Sequence, residues 1–243
     1  MCLQPSDVDQ LSDEKILELK KKGSKLDPAA SVFKLTPGTV TKASQDLDED
    51  AADASEANAL DLLFAKTTIP VPRVRRVVKR QRDFLIVMDY IPGPTLAHVW
   101  PTLSMWRKIR VAFTLRRYVR QLRRLKAPAT TPPGPLSAQG ARRCESPIFG
   151  QVQSDRGPFA TYSELSAFFN ERHQMAMNCK KLPRDDLSRN DLFDNSEPMW
   201  RQNDERVSGT NDEFWKALIP CICGPYFRQE KWLWRMGLGL YYK

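Results

Sequence analysis

No long apolar run occurs in the sequence: the longest uninterrupted one is Phe84 to Met88, far short of the roughly 20 apolar residues that a bilayer-spanning helix needs. The start, Met1 to Gln10, has no basic stretch followed by an apolar one, so no secretory leader is expected there. A soluble, cytoplasmic chain without membrane attachment is the expectation. Cysteine is sparse, five in 243 residues and odd in number, which argues against a disulfide framework. Cys221 and Cys223 are spaced C-x-C, but Cys2, Cys144 and Cys179 are scattered and no second Cys or His pair completes a zinc-like set. Free, mostly buried thiols in a reducing compartment are expected instead. With 11 Gly and 18 Pro the chain is not collagen-like, and 41% hydrophobic residues are too many for a wholly disordered one.

Charge is present in blocks. The net charge is +9; six basic residues lie between Arg73 and Arg82, and nine between Arg107 and Lys126, where no acidic residue occurs. Against them stand Asp46, Asp48, Glu49, Asp50, Asp53 and Glu56. A basic face attracts nucleic acid, anionic lipid or a phosphorylated small molecule, although most such faces are simply solvated.

Local signals order the chain. Ser12 as N-cap, Asp13 and Glu14 in a first turn, Ile16 and Leu19 three apart, Lys20 to Lys22 and then Gly23 spell a short helix. Val32, Phe33 and Leu35, the turn Thr36-Pro37-Gly38, and Thr39-Val40-Thr41 spell a hairpin. Ser55 is placed to cap a second helix with Ala57, Leu60, Leu63 and Phe64 in one stripe. Glu56 stands four residues before Leu60 and seven before Leu63, so its carboxylate falls on the apolar face and needs a partner. Val74 to Val78 and Phe84 to Tyr90 flank the polar turn Arg80 to Asp83 as a second hairpin. Leu103 to Leu125 carries Ile109, Ala112, Leu115, Val119, Leu122 and Leu125 at helical spacing. An irregular crossing from Ala127 to Pro158, anchored by Ile148-Phe149, precedes a helix from Tyr162 to Asn178. Lys180 to Gly209 is polar and patternless, and Phe214 to Tyr242, with Trp215, Trp232 and Trp234, reads as helix, break, helix. The expected class is α+β: a small antiparallel sheet with a helix, then a helical lobe.

Several strings within this order resemble a known family. Val40-Thr41-Lys42-Ala43-Ser44 is followed by SEANAL at 55 to 60, TTIPVPRV at 67 to 74, LIVMDYIPGPTLAHVWPTLS at 85 to 104 and YVRQLRRL at 118 to 125. FNERHQMAM at 169 to 177, FDNSEPM at 193 to 199 and IPCICGPYFRQEKW at 219 to 232 come after them. As an ordered set they resemble the aminoglycoside phosphotransferase family, including its fungal members, over most of the chain. The resemblance implies a protein-kinase-like bilobal fold and an ATP-dependent kinase acting on a small hydroxylated molecule. It divides the chain into an N-terminal helical extension (1–30), a small nucleotide-binding lobe (31–92) and a helical lobe (93–243) that is incomplete after about residue 198.

In that family Lys42 matches the strand lysine that holds the α and β phosphates and Glu56 the helix carboxylate that orients it. Met88, Asp89, Tyr90 and Ile91 match the hinge whose backbone faces the adenine edge. Without the family, Lys42 is an exposed strand-end lysine, Glu56 a first-turn carboxylate favoured by the helix dipole, and Met88 a buried strand end. Gly38 is the only glycine near the first hairpin to cradle phosphate, a weak negative.

Catalysis needs more than these. The family supplies H-x-D-x-x-x-x-N followed by I-D-W or D-F-G, which position the acceptor hydroxyl and hold magnesium. Here His98 precedes Val99-Trp100, His173 precedes Gln174-Met175, no Trp follows Asp, and the one Asp-Phe pair, Asp83-Phe84, lies ahead of the hinge. Asp185 to Asn190 mimics the loop spacing but precedes the FDNSEP string, whereas the family's loop follows it. The expectation is a degenerate phosphotransferase with no catalytic residue and no magnesium site, ATP remaining a possible ligand. The alternative is a non-catalytic pseudokinase module that binds a nucleotide or a partner. A nucleic-acid binder would interleave aromatics with the arginines of Arg107 to Lys126. Tyr118 alone stands well inside that face while Trp106 and Phe113 are expected to pack, so nucleic acid is not the expected partner.

Overall fold

The computed structural model describes residues 6, 8–26, 31–44, 48, 51–81, 83–128, 130–144, 149, 155–180, 218 and 222, with 176–180 described as backbone. It is mixed α+β. β-Branched residues on either side of Pro37-Gly38 form β1 (Val32–Thr36) and β2 (Thr39–Ser44), and the second hairpin is β3 (Val74–Lys79) with β4 (Phe84–Asp89). The hairpins join into one antiparallel sheet of order β1-β2-β4-β3. In register, Lys42 faces Val32 on β1 and Ile86 on β4, while Val40 faces Met88.

The sheet has two covered faces, which explains why its central strand β4 is also the longest apolar run of the sequence. Phe84, Ile86 and Met88 alternate onto the face shared with Val40, Ala51, Ala54 and Ala57. Leu85 and Val87 alternate onto the other face with Val8, Ile16 and Val78.

Two helices supply those covers. α1 (Asp13–Lys22) buries Ile16 and starts at Ser12, whose Oγ accepts a hydrogen bond from the Lys15 backbone N–H at 3.3 Å. Gly23 ends it with φ −69°, outside the left-handed region, and a Cβ at that position would stand 2.5 Å from the Lys34 carbonyl oxygen. Close approach of α1 to β1 therefore requires this glycine. α2 (Ser55–Lys66) begins one residue earlier than its expected cap: Ala54 holds the extended cap position and Ser55 is already helical. Ala57 is buried on the sheet and Leu60 packs beside it, but Phe64, expected in the same stripe, is exposed in the last turn with the Arg73 guanidinium 5.5 Å from its ring centre.

The chain divides into two units, one of Met1–Gly93 with Pro135–Gln139 and one of Pro94–Gly134 with Gly140–Lys243. The second contains α3 (Leu96–Val99), a 3-10 turn (Trp100–Thr102), α4 (Met105–Arg124) and α5 (Tyr162–Lys180). α4 packs Ala112, Val111, Leu115 and Val119 around buried Trp100 and Ile222. Trp106 and Phe113, expected to pack, are instead 81% and 67% exposed, because the helical repeat carries them to the side opposite Ala112 and Leu115. Phe149 anchors the crossing as expected, its ring centre within 6.0 Å of those of Phe159, Phe168 and Phe169, stacked on Phe168 and tilted against the other two. Cys144 is buried and in no disulfide among the described residues. No described helix is long and apolar enough to cross a membrane. Ile148, Cys2, Cys221, Cys223, the Asp185 to Asn190 string, the FDNSEPM string and Trp215, Trp232 and Trp234 lie outside the described residues, as does the Cys179 side chain.

Candidate functional site

Period-two alternation along β2 puts Lys42 on the same face as Val40, the face that α2 covers through Ala57. Glu56, one residue before Ala57, is thereby brought over Lys42, and Lys42 Nζ donates to Glu56 Oε1 at 2.6 Å. The two side chains are 38% and 33% exposed, so water and a ligand can both reach the pair. An ammonium has three donors. Lys42 Nζ gives one to Glu56 and makes no other hydrogen bond or ion pair among the described residues, so the rest are open to an anion.

The start of α2 is fastened by a polar cluster that the linear sequence did not signal. Asp53 Oδ2 accepts from Asn58 Nδ2 at 2.6 Å and from the Ala138 backbone N–H at 3.0 Å, and Asp53 Oδ1 accepts from Ser137 Oγ at 3.2 Å. Asn58 Nδ2 also donates to the Leu136 carbonyl at 3.0 Å, and Ala52 N–H donates to Gln139 Oε1 at 3.2 Å. Residues 135–139 thus clamp the turn three residues before Glu56. The partners are about 80 positions apart in the chain, which leaves no local pattern to read.

Met88, Asp89, Tyr90 and Ile91, the residues expected to line an adenine edge, lie at and just beyond the other end of the β2–β4 ladder. Met88 is buried opposite Val40, and Tyr90 packs partly buried beside the same cluster, with Lys34 Nζ 4.8 Å from its ring centre. Asp89 is an ion-pair partner: its carboxylate receives Arg75 Nε at 2.6 Å and Nη2 at 3.2 Å. Those bonds hold the Arg75 pKa above its ordinary value, with burial opposing and the Asp89 and Asp9 charges assisting. A register shift between Val74 and Arg76 bulges the strand at Arg75 and aims the side chain there. The adjacent arginines Arg75-Arg76, breaking the strand's alternation, are the trace of this bulge in the sequence.

Backbone hydrogen bonds narrow what residues 88–91 offer a ligand. Asp89 N–H bonds the Arg73 carbonyl at 3.0 Å, and Tyr90 N–H bonds the Gly38 carbonyl at 2.9 Å. Ile91 N–H has no partner among the described residues, and Ile91 is 57% exposed. Gly38 therefore ties the turn to Tyr90 and stands three positions before Thr41, away from Lys42 along the strand. A distinct concavity, lined by Leu19, Gly23, Lys34 and Leu35 among others, includes neither Lys42 nor Glu56. Among the described residues no three His, Cys, Asp or Glu side chains converge.

Compared with known proteins, the chain matches no family model, no curated protein and no solved structure. The chemical content of the site thus rests on its own geometry. Lys42 and Glu56 form an oriented cation beside an apolar floor of Val32, Val40 and Met88, about 17 Å along the strand direction from the Ile91 N–H, which has no partner among the described residues. That is an anion site next to an apolar surface with a backbone donor beyond it.

Proposed function

We propose that this chain is a degenerate aminoglycoside phosphotransferase-like kinase whose N-terminal unit binds an adenine nucleotide without transferring its phosphate. The observation that carries the proposal is the 2.6 Å Lys42–Glu56 pair bridging strand and helix. In kinase-type phosphotransferases a strand lysine and a helix glutamate form such a pair, the glutamate holding the ammonium against the nucleotide phosphates. The donor chemistry fits that ligand: Lys42 keeps donors for phosphate oxygens, Val32, Val40 and Met88 give the base an apolar neighbour, and Ile91 N–H remains for its edge. The sheet order β1-β2-β4-β3 places the lysine strand directly beside the strand that leads into residues 88–91, so base and phosphate contacts would share one ladder.

Transfer itself would need an acceptor-positioning aspartate and magnesium ligands, and no H-x-D occurs in the sequence. ATP would supply the base and the phosphates, and the residues present would hold it without neutralising the transferring charge. Titration of the full chain with a fluorescent ATP analogue tests the reading. Saturable binding in the wild type, weakened about tenfold or more in Lys42→Ala as a charge-assisted contact is lost, supports it. Absence of binding at millimolar nucleotide, or binding indifferent to Lys42→Ala, would remove it. Transfer of radiolabelled γ-phosphate to an aminoglycoside or choline would refute the non-catalytic half.

A further inference from the structure

We propose that the outward face of α4 binds single-stranded nucleic acid, with bases stacking on Trp106 and Phe113 while Arg110, Arg117, Arg120 and Arg124 hold phosphates. At 3.6 residues per turn, positions 106, 110, 113, 117, 120 and 124 fall on one stripe, opposite the Ala112, Leu115 and Val119 side that packs on Trp100. All six residues are exposed. The stripe alternates aromatic, cation, aromatic, cation before ending in two further cations, and Met105–Arg124 contains no acidic residue. Arg110, Arg120 and Arg124 form no ion pair among the described residues, and Arg117 lies 5.7 Å from the Tyr118 ring centre. Exposed large aromatics are costly to leave in water, and cations without counter-charges repel each other along a helix, so this face is complementary to a ligand that is both stackable and anionic.

Single-stranded nucleic acid has that pair of properties, since every base offers a π-face and every linkage a negative charge. The stripe runs about 27 Å, the rise of on the order of eight stacked nucleotides. An anionic bilayer is the competing polyanion. A helix that seats in a bilayer keeps its cations at the margins of its apolar sector. Here Arg110 stands between Trp106 and Phe113 on the stripe and would have to enter the acyl boundary with them. The interleaving therefore favours nucleic acid, and the inference stands independently of the nucleotide site on the first unit.

Fluorescence anisotropy of labelled 12-mers of oligo(dT) and oligo(U), titrated with the full chain, provides the test. Binding is expected to weaken with salt, with a log–log slope of about −3 for four phosphate contacts on a single strand. Trp106→Ala and Phe113→Ala should each weaken it about tenfold, Trp106→Tyr should restore most of it, and an abasic oligomer of equal length should bind at least about tenfold less tightly to the wild type. The abasic comparison uses unmodified protein and decides the matter even if an alanine variant folds poorly. Equal affinity for the abasic oligomer, no oligomer binding at low salt, or binding to phosphatidylserine vesicles without binding to oligomers would each overturn the proposal.

Discussion

The Lys42 ammonium stands 2.6 Å from the Glu56 carboxylate although 14 positions separate them, and the contact joins β2 to α2 across the face where Val40 and Ala57 meet. Two periodicities create it. The strand repeat turns Lys42 to the side of Val40, and the helical repeat sets Glu56 at the rim of the stripe that buries Ala57. A cation and an anion at the edge of an apolar contact hold each other in a fixed direction, while the water-facing side of both remains open.

Because both partners are about one-third exposed, this pair contributes little to folding. Lys42→Ala is expected to change unfolding free energy by no more than about 1 kcal/mol in urea titrations. The same substitution should weaken nucleotide binding by an order of magnitude. A large loss of stability with unchanged nucleotide affinity would show a structural strut instead of a phosphate ligand.

Asp53 has the opposite balance. Its carboxylate accepts from Asn58, Ser137 and the Ala138 backbone, and Ala54 at the cap makes no side-chain hydrogen bond of its own. Asp53→Ala should cost about 1 to 3 kcal/mol, since several donors lose a charged acceptor. Freed of the 135–139 clamp, the start of α2 should also exchange its amide hydrogens faster. Unaltered exchange in residues 55–60 of the variant would show that Ala57 packing alone positions the helix.

How much of this was legible in the sequence follows the range of the interactions. Ser12 with Asp13, Glu14 and Lys20 to Lys22 are signals within one helix, and the Pro37-Gly38 turn lies within one hairpin, so α1 and the β1–β2 hairpin could be read directly. The Lys42–Glu56 approach was readable because each residue's face follows from a local period. Asp53 with residues 136–138 could not be read, because loop residues have no period and their partners are remote. The Arg75–Asp89 pair was hidden by a bulge that shifts the register by one residue. Trp106 and Phe113 were misplaced for another reason: hydrophobicity suggested burial, whereas their positions on α4 put them opposite the packed stripe.

On α1 the Glu18 carboxylate accepts from Lys15 at 2.7 Å and from Lys22 at 2.6 Å. These hydrogen bonds, Lys15 first, lower its pKa to about 2 from an ordinary 4.5. A depressed folded-state value means that the stabilisation is present above about pH 4.5 and is lost as pH falls through about 2. Carbon-detected NMR titration of the Glu18 carboxyl should find its midpoint well below those of exposed glutamates, and Glu18→Gln should reduce the acid dependence of α1 amide protection over that interval. A Glu18 midpoint near 4.5 would mean that the lysines do not hold it in solution.

Thr41 offers the cleanest test of the sheet's second face. Its neighbours in alternation along β2 place it with Ala43 on the side of Leu85 and Val87, where it is fully buried, and its Oγ1 has no hydrogen-bond partner among the described residues. A buried hydroxyl without a partner costs about 1 to 3 kcal/mol, while a methyl in its place has nearly the same volume and nothing to desolvate. Thr41→Val should therefore stabilise the protein by about 1 kcal/mol, keeping the β-branched shape that the strand favours. The reciprocal Val40→Thr, one residue away on the opposite face, places a hydroxyl among Ala57, Ile86 and Met88 and should destabilise by a similar amount. Urea denaturation of both variants reads the pair. If Thr41→Val were destabilising, the hydroxyl would have a partner in solution, and the face toward α1 would be wetter than its packing implies.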